Sequence, residues 1–229
     1  MGRDIAIPSR HGPICAWRAD PPNGAAPRGA VVVLQEIFGV NPHIRSVADG
    51  YAAAGHVSVA PALFDPVERN VELGYDEAGF GRGRELAAEL GIERAIDIVS
   101  DTAMQLREEG HCIAVLGFCW GGSLAFLANT RLGLPAVSYY GARSVPFLAE
   151  TLRAPMLFHF GADDPAITAE DIDAHRRLQP DAAVHVYPGA GHGFNRDVDP
   201  RHFHADSAAL ARRRTMDFLK TVLEREERR

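Results

Sequence analysis

The stretch LGFCWGGSLAF, residues 116–126, changes character at its middle. CIAVLGF, which runs into it, is a continuous apolar segment of the kind carried by a strand buried on both faces, and SLAFLAN after the glycines has helical spacing. Cys119 stands at the corner, framed by Gly117, Gly121 and Gly122. A strand that turns abruptly into a helix strains its corner residue and presses the flanking positions against neighbouring backbone, where only glycine fits. The frame is that of G-x-S-x-G, the corner that presents a nucleophile in many hydrolases, with cysteine in place of serine. Ser123, the nearest serine, falls inside the following helix and is the weaker candidate.

Outward from this corner the chain alternates. DIAIPS and CAWRAD flank the turn-prone RHGP and read as an N-terminal hairpin. AVVVLQEI reads as a strand, HIRSVADGYAAAG as a helix stopped by Gly55, and HVSVAPAL as the next strand. Residues 67–92 read as polar and glycine-bearing, without a regular element, and AIDIVSDTAMQL as an amphipathic helix. Beyond the corner follow AVSYYGA, VPFLAETL, PMLFHFGADD, AEDIDAHRRL and AAVHVYPGAGHG, then a last helix carrying Leu210, Phe218, Leu219, Val222 and Leu223, with EREERR as its solvated end. Apolar strands alternating with helices predict an α/β architecture: a mostly parallel central sheet covered by helices on both faces, in one domain over residues 1–229.

Composition narrows the function classes. An apolar fraction of 46% and a charged fraction of 24% are ordinary for a soluble globular chain. The formal charge of −6 opposes a nucleic-acid partner, and RRR at 212–214 is an isolated basic block. No apolar run approaches the roughly 18 residues of a membrane helix, and the first twelve residues lack the apolar core of a signal peptide. A cytoplasmic monomer acting on a small molecule is expected. The three cysteines, Cys15, Cys112 and Cys119, have neither paired nor metal-type spacing, so no disulfide framework, metal or cofactor is called for.

In parallel sheets the reactive groups sit in loops at the carboxyl ends of strands. Four strand ends carry such groups: Gln35 and Glu36, Cys119, Asp163 and Asp164, and His192. The order nucleophile, acid, histidine is that of the α/β-hydrolase fold. His192, in GAGHGF, takes the place of the general base, whereas His202 and His204 in RHFH read as surface histidines. The spacing G-x-x-D from Gly161 selects Asp164 as the carboxylate behind the histidine and leaves Asp163 as a turn residue. Glu36 at the end of VVVLQ is a costly place for an unpaired carboxylate; opposite Cys119 it could accept a thiol proton. The loop it opens lies where an oxyanion donor is supplied, so the Ile37 and Trp120 amides are the candidate pair.

Together QEIFGVN (35–41), GFCWGG (117–122), HFGADD (159–164) and AGHGFNR (190–196) resemble the dienelactone hydrolase family of α/β-hydrolases over nearly the whole chain. The resemblance implies opening of an enol-lactone, 4-carboxymethylenebut-2-en-4-olide, to maleylacetate by a triad matching Cys119, His192 and Asp164. It implies that Glu36 pairs with the resting thiol and that Arg196 binds the substrate carboxylate. A second substrate arginine falls in YDEAGFGRGRELAAEL, where Arg82 or Arg84 could supply it. Trp120 stands where the best-known members carry a smaller aliphatic residue. The competing reading is a non-catalytic ligand-binding or thiol redox-sensing protein on the same fold.

Overall fold

A computed structural model of the chain describes residues 2–226, with side chains through 223, so the reading of EREERR lies outside the described side chains. One eight-stranded sheet runs through it in the order β1-β2-β4-β3-β5-β6-β7-β8. β1 (Arg3–Ile7) and β2 (Ile14–Ala19) form the antiparallel hairpin expected at the N-terminus, and β2 joins β4 (Val57–Pro61) antiparallel. The remaining neighbours, β3 (Ala30–Leu34), β5 (Ile113–Phe118), β6 (Ala136–Tyr139), β7 (Met156–Gly161) and β8 (Ala183–Tyr187), pair in parallel. Every residue of β3, β4, β5, β6 and β7 is buried. That is why these strands read as continuous apolar runs: helices cover both of their faces.

The helices are α1 (Pro42–Ala53), α2 (Glu77–Leu90), α3 (Ile92–Glu108), α4 (Trp120–Leu132), α5 (Ala169–Leu178) and α6 (Ala205–Glu226). Two of these boundaries depart from the sequence reading. Where 67–92 read as polar and glycine-bearing, α2 forms behind an Asp76 cap that accepts the Gly79 N–H at 2.7 Å. Two of its three glycines are there for contact: a Cβ on Gly83 would lie 2.1 Å from the Ile37 carbonyl oxygen, and one on Gly79 2.1 Å from that of Gly74. VPFLAETL, read as a helix, makes only a short 3-10 turn at Val145–Phe147. Glu150 in that segment is drawn to Arg131 and Thr130, and Pro155 leads directly into β7.

The parallel register brings the carboxyl ends of β3, β5, β6, β7 and β8 to one edge of the sheet. Gly161 closes two of the loops there: a Cβ on it would lie 2.3 Å from the Ala190 carbonyl oxygen. The loop after β7 and the loop after β8 therefore touch backbone to backbone.

Candidate active site

Cys119 sits between β5 and α4 with φ 53° and ψ −116°, a region that costs a non-glycine residue about 1–3 kcal/mol. Its N–H donates to the Tyr139 carbonyl at 3.0 Å and its own carbonyl accepts from the Gly122 N–H at 2.9 Å, so the corner is held on both sides. The glycine frame has the steric cause expected of it. A Cβ on Gly117 would meet the Gly121 oxygen at 1.8 Å, one on Gly121 the Gln35 oxygen at 2.4 Å, and one on Gly122 the Tyr139 oxygen at 2.7 Å. Ser123 is inside α4, where its Oγ accepts the Arg143 N–H at 2.9 Å.

The half-buried sulfur faces His192 Nε2 at 3.1 Å, and His192 Nδ1 lies 2.8 Å from Asp164 Oδ2. A carboxylate only accepts, so the Nδ1 proton points at Asp164 and Nε2 is turned to the sulfur. The Asp164 carboxylate is fully buried, and its Oδ1 accepts the Ala166 N–H at 2.8 Å. Asp163 is exposed, donates its backbone N–H to Ala190 and takes no part in the chain. Burial alone would lower the His192 pKa, but negative charge on Cys119 and the bonds to Asp164 and Cys119 outweigh it, pushing it up to about 10. At neutral pH the ring is therefore an imidazolium bound between two acceptors.

Glu36 makes no hydrogen bond to the sulfur, unlike the resting pair that the resemblance implies. Its fully buried carboxylate lies against Arg196, with Oε1 3.3 Å from Nε, and neither oxygen has a hydrogen-bond partner. Arg196 also pairs through Nη1 with the buried Asp199 at 3.2 Å, and its guanidinium lies 4.6 Å from the Tyr75 ring centroid and 5.8 Å from that of Phe38. Asp199 in turn holds Arg201 at 3.3 Å and His202 at 2.7 Å. His202 is exposed and His204 partly so, as their sequence context predicts, each with a local partner: Asp199 for His202 and Ser207 at 2.8 Å for His204.

Of the two candidate oxyanion donors, Trp120 directly follows the corner. Trp120 provides the first amide of α4, whose N–H has no partner within the helix, and its buried ring stacks on Phe64 at 5.4 Å. Ile37 is buried in the loop after β3, with the Gly83 face of α2 against its carbonyl. The two arginines of α2 do not join the site. Arg82 pairs with Glu68 and Glu85, and Arg84 is exposed over the Phe80 ring at 5.8 Å. Among the described residues no group of three His, Cys, Asp or Glu is arranged to hold a metal ion.

Four residues of this site escaped the sequence reading: Phe38, Tyr75, Tyr140 and Asp199. Tyr140, directly after β6, has φ 41°, a ring 5.1 Å from that of His192 and a buried hydroxyl without a hydrogen-bond partner. Burial and the nearby Glu36 charge hold that hydroxyl protonated well above an ordinary phenol. Its place at a strand end was the available signal. Tyr75 and Asp199 lie in polar loops and gave none.

The profile of the dienelactone hydrolase family matches residues 15–223. The chain belongs to that family. Carboxymethylenebutenolidase 1 of Cupriavidus pinatubonensis is 30% identical over 94% of this chain and 95% of its own, and the carboxymethylenebutenolidase of Pseudomonas sp. strain P51 is 31% identical over 88% and 87%. Among solved structures, a Klebsiella pneumoniae chain provisionally named a dienelactone hydrolase superposes with a TM-score of 0.84 at 27% identity, covering 96% of this chain and 98% of that one. This family member is accordingly a hydrolase of the α/β-hydrolase fold, in a family whose named activity is on a lactone. No helix among the described residues is long and apolar enough to cross a membrane.

Proposed function

We propose that this hydrolase opens activated lactones and esters, those with enolate or phenolate leaving groups, with Cys119 as nucleophile, His192 as acid and base and Asp164 as the group that orients it. The observation carrying this reading is the unbroken chain Asp164–His192–Cys119, at 2.8 and 3.1 Å, on a strained corner. The thiolate attacks the carbonyl carbon, and the Ile37 and Trp120 N–H groups receive the oxyanion. Collapse breaks the carbonyl–oxygen bond, and the imidazolium supplies a proton to the leaving oxygen. Water, deprotonated by His192, then cleaves the thioester and returns the thiolate beside the imidazolium. Glu36 contributes the buried charge opposite Arg196. We take the whole chain as one catalytic unit, since a single sheet joins its loops.

Sulfur also limits what can react. A thiolate leaves a tetrahedral intermediate more readily than an alkoxide does, so ordinary alkyl esters return to starting material, while enol-lactones and aryl esters go forward. Turnover of dienelactone isomers and 4-nitrophenyl esters, measured beside ethyl esters and repeated with Cys119→Ser and after iodoacetamide, tests the assignment. Aryl and enol esters should exceed ethyl esters by about 100-fold or more, and both treatments should abolish turnover. Equal rates on ethyl and aryl esters would remove sulfur from the mechanism, as would activity surviving Cys119→Ser. Peroxide consumption without hydrolysis would replace it with a redox role.

A further inference from the structure

Beside α4 lies a cavity of about 670 Å³ whose wall includes Trp120 but not Cys119, Asp164 or His192. Its volume is that of a small-molecule site. Ile92, Leu124, Leu127 and Phe147 give it apolar sides, and Ala88 and Gly91 leave room at the end of α2. The wall is held from behind. Trp120 stacks on Phe64 at 5.4 Å, and the Phe147 ring lies 5.7 Å from the Arg131 guanidinium, which Glu93 and Glu150 each pair at 2.8 Å. The cavity is therefore formed before any ligand arrives.

Two charged residues border it, Arg143 and Asp171, and they differ in what else they do. Asp171 is committed to the start of α5: its Oδ2 accepts the Thr168 N–H at 2.9 Å, and its N–H donates to Thr168 Oγ1 at 3.2 Å. Arg143 is fixed through its backbone, whose N–H donates to the buried Ser123 Oγ at 2.9 Å, while its guanidinium pairs with no carboxylate among the described residues. A guanidinium fork offers a carboxylate two parallel N–H bonds. We propose that this cavity binds an apolar organic anion, an aryl- or alkyl-carboxylate, with Arg143 receiving the carboxylate and the walls around Trp120 and Leu127 its apolar body. The same chemistry belongs to a carboxylate-bearing limb of the substrate and to a separate small molecule.

Titration calorimetry on the intact protein with 4-phenylbutyrate, its neutral amide and acetate tests the site without turnover. The carboxylate with the apolar body should bind about tenfold tighter than either of the others. Arg143→Gln should erase the preference for acid over amide while 4-nitrophenyl acetate hydrolysis, which also reports that the variant is folded, stays unchanged. Ala88→Trp, at an exposed position of α2, should fill the cavity and abolish binding of acid and amide alike. Equal affinity for acid and amide in the unaltered protein would overturn the proposal, as would binding that both variants leave intact.

A second comparison identifies the source of the anion. If it is a limb of the substrate, Arg143→Gln should lower kcat/KM for mono-4-nitrophenyl suberate about tenfold and leave 4-nitrophenyl octanoate unchanged. If it is a separate ligand, both esters should be unaffected by a variant that no longer distinguishes acid from amide. Binding of 4-phenylbutyrate that is lost on alkylation of Cys119 by iodoacetamide yet survives Ala88→Trp would put the ligand at the sulfur and overturn the assignment to this cavity. Hydrolysis that survives Cys119→Ser would instead defeat the nucleophile assignment and leave the calorimetry untouched, so the two failures are separable.

Discussion

At the scale of single residues, the charge on His192 is the quantity from which most of the chemistry follows. Its pKa is set by opposed effects: burial lowers it, negative charge on Cys119 is the largest of the influences raising it, and the bonds to Asp164 and Cys119 complete the rise to about 10. Removing the sulfur's charge should therefore lower it more than any change at the surface. We expect the His192 ring to titrate near pH 10 by NMR, and distinctly lower in Cys119→Ser and in Asp164→Asn; a value near 6.5 in the unaltered protein would refute the ion pair. Because the folded value is the raised one, the pair's stabilisation is complete below the unfolded value of about 6.5 and disappears as pH rises through about 10. Asp164→Asn should also slow aryl-ester turnover by about 100-fold or more, since an amide there can present its N–H to Nδ1 and favour the wrong tautomer. Wild-type turnover in Asp164→Asn would give the orienting role to another group.

At the scale of elements, the site is an alignment of loops that the chain itself must bring into contact. Gly161 shows how: it ends β7, and a Cβ there would drive apart the backbones that carry Asp164 and His192. Gly161→Ala should cost about 1–3 kcal/mol of stability by overpacking, and it should slow turnover by about 100-fold through a displacement of only about 1 Å. Thermal melting and kcat/KM on the same preparation read the two effects; a melting loss with unchanged turnover would show that the loops are not coupled there. The same physics explains what could be read from sequence. GFCWGG, HFGADD and AGHGFNR were legible because sharp corners demand glycine locally, and the buried strands because apolar runs need no partner to be recognised. Helix α2 was hidden because Gly79 and Gly83, poor helix formers, are required by close approach to Gly74 and Ile37, a tertiary demand that overrides propensity. The Glu36–Arg196–Asp199 cluster stayed unread for a related reason. Glu36 lies on the loop after β3 while Arg196 and Asp199 sit three residues apart on the loop after β8, and nothing in either local pattern records that the guanidinium joins them.

At the scale of the whole molecule, acid is the condition that should open the fold, and the buried histidines decide it. His159 on β7 bonds Tyr187 through Nδ1 at 2.8 Å and Thr215 of α6 through Nε2 at 3.0 Å, and Tyr139 of β6 joins Thr215 at 2.6 Å. A neutral ring satisfies this network: Tyr187 donates to Nδ1, and the Nε2 proton goes to the threonine oxygen. Burial, His185 and Arg214 hold the His159 pKa well below the ordinary value. Burial likewise lowers His56, His175 and His185. Each of these rings binds a proton less readily folded than unfolded, so each lowers stability as pH falls through the unfolded value of about 6.5. His192 does not offset this, since below pH 6.5 it is protonated in both states. Urea unfolding should therefore show stability declining steadily from pH 6.5 to pH 5, with a shallower decline in His159→Gln. That comparison uses the slope against pH, so the variant's own loss of stability does not obscure it. Constant stability across this interval would mean that the buried rings are already charged in the folded protein, and the network joining β6, β7 and β8 to α6 would then have to carry a different proton arrangement.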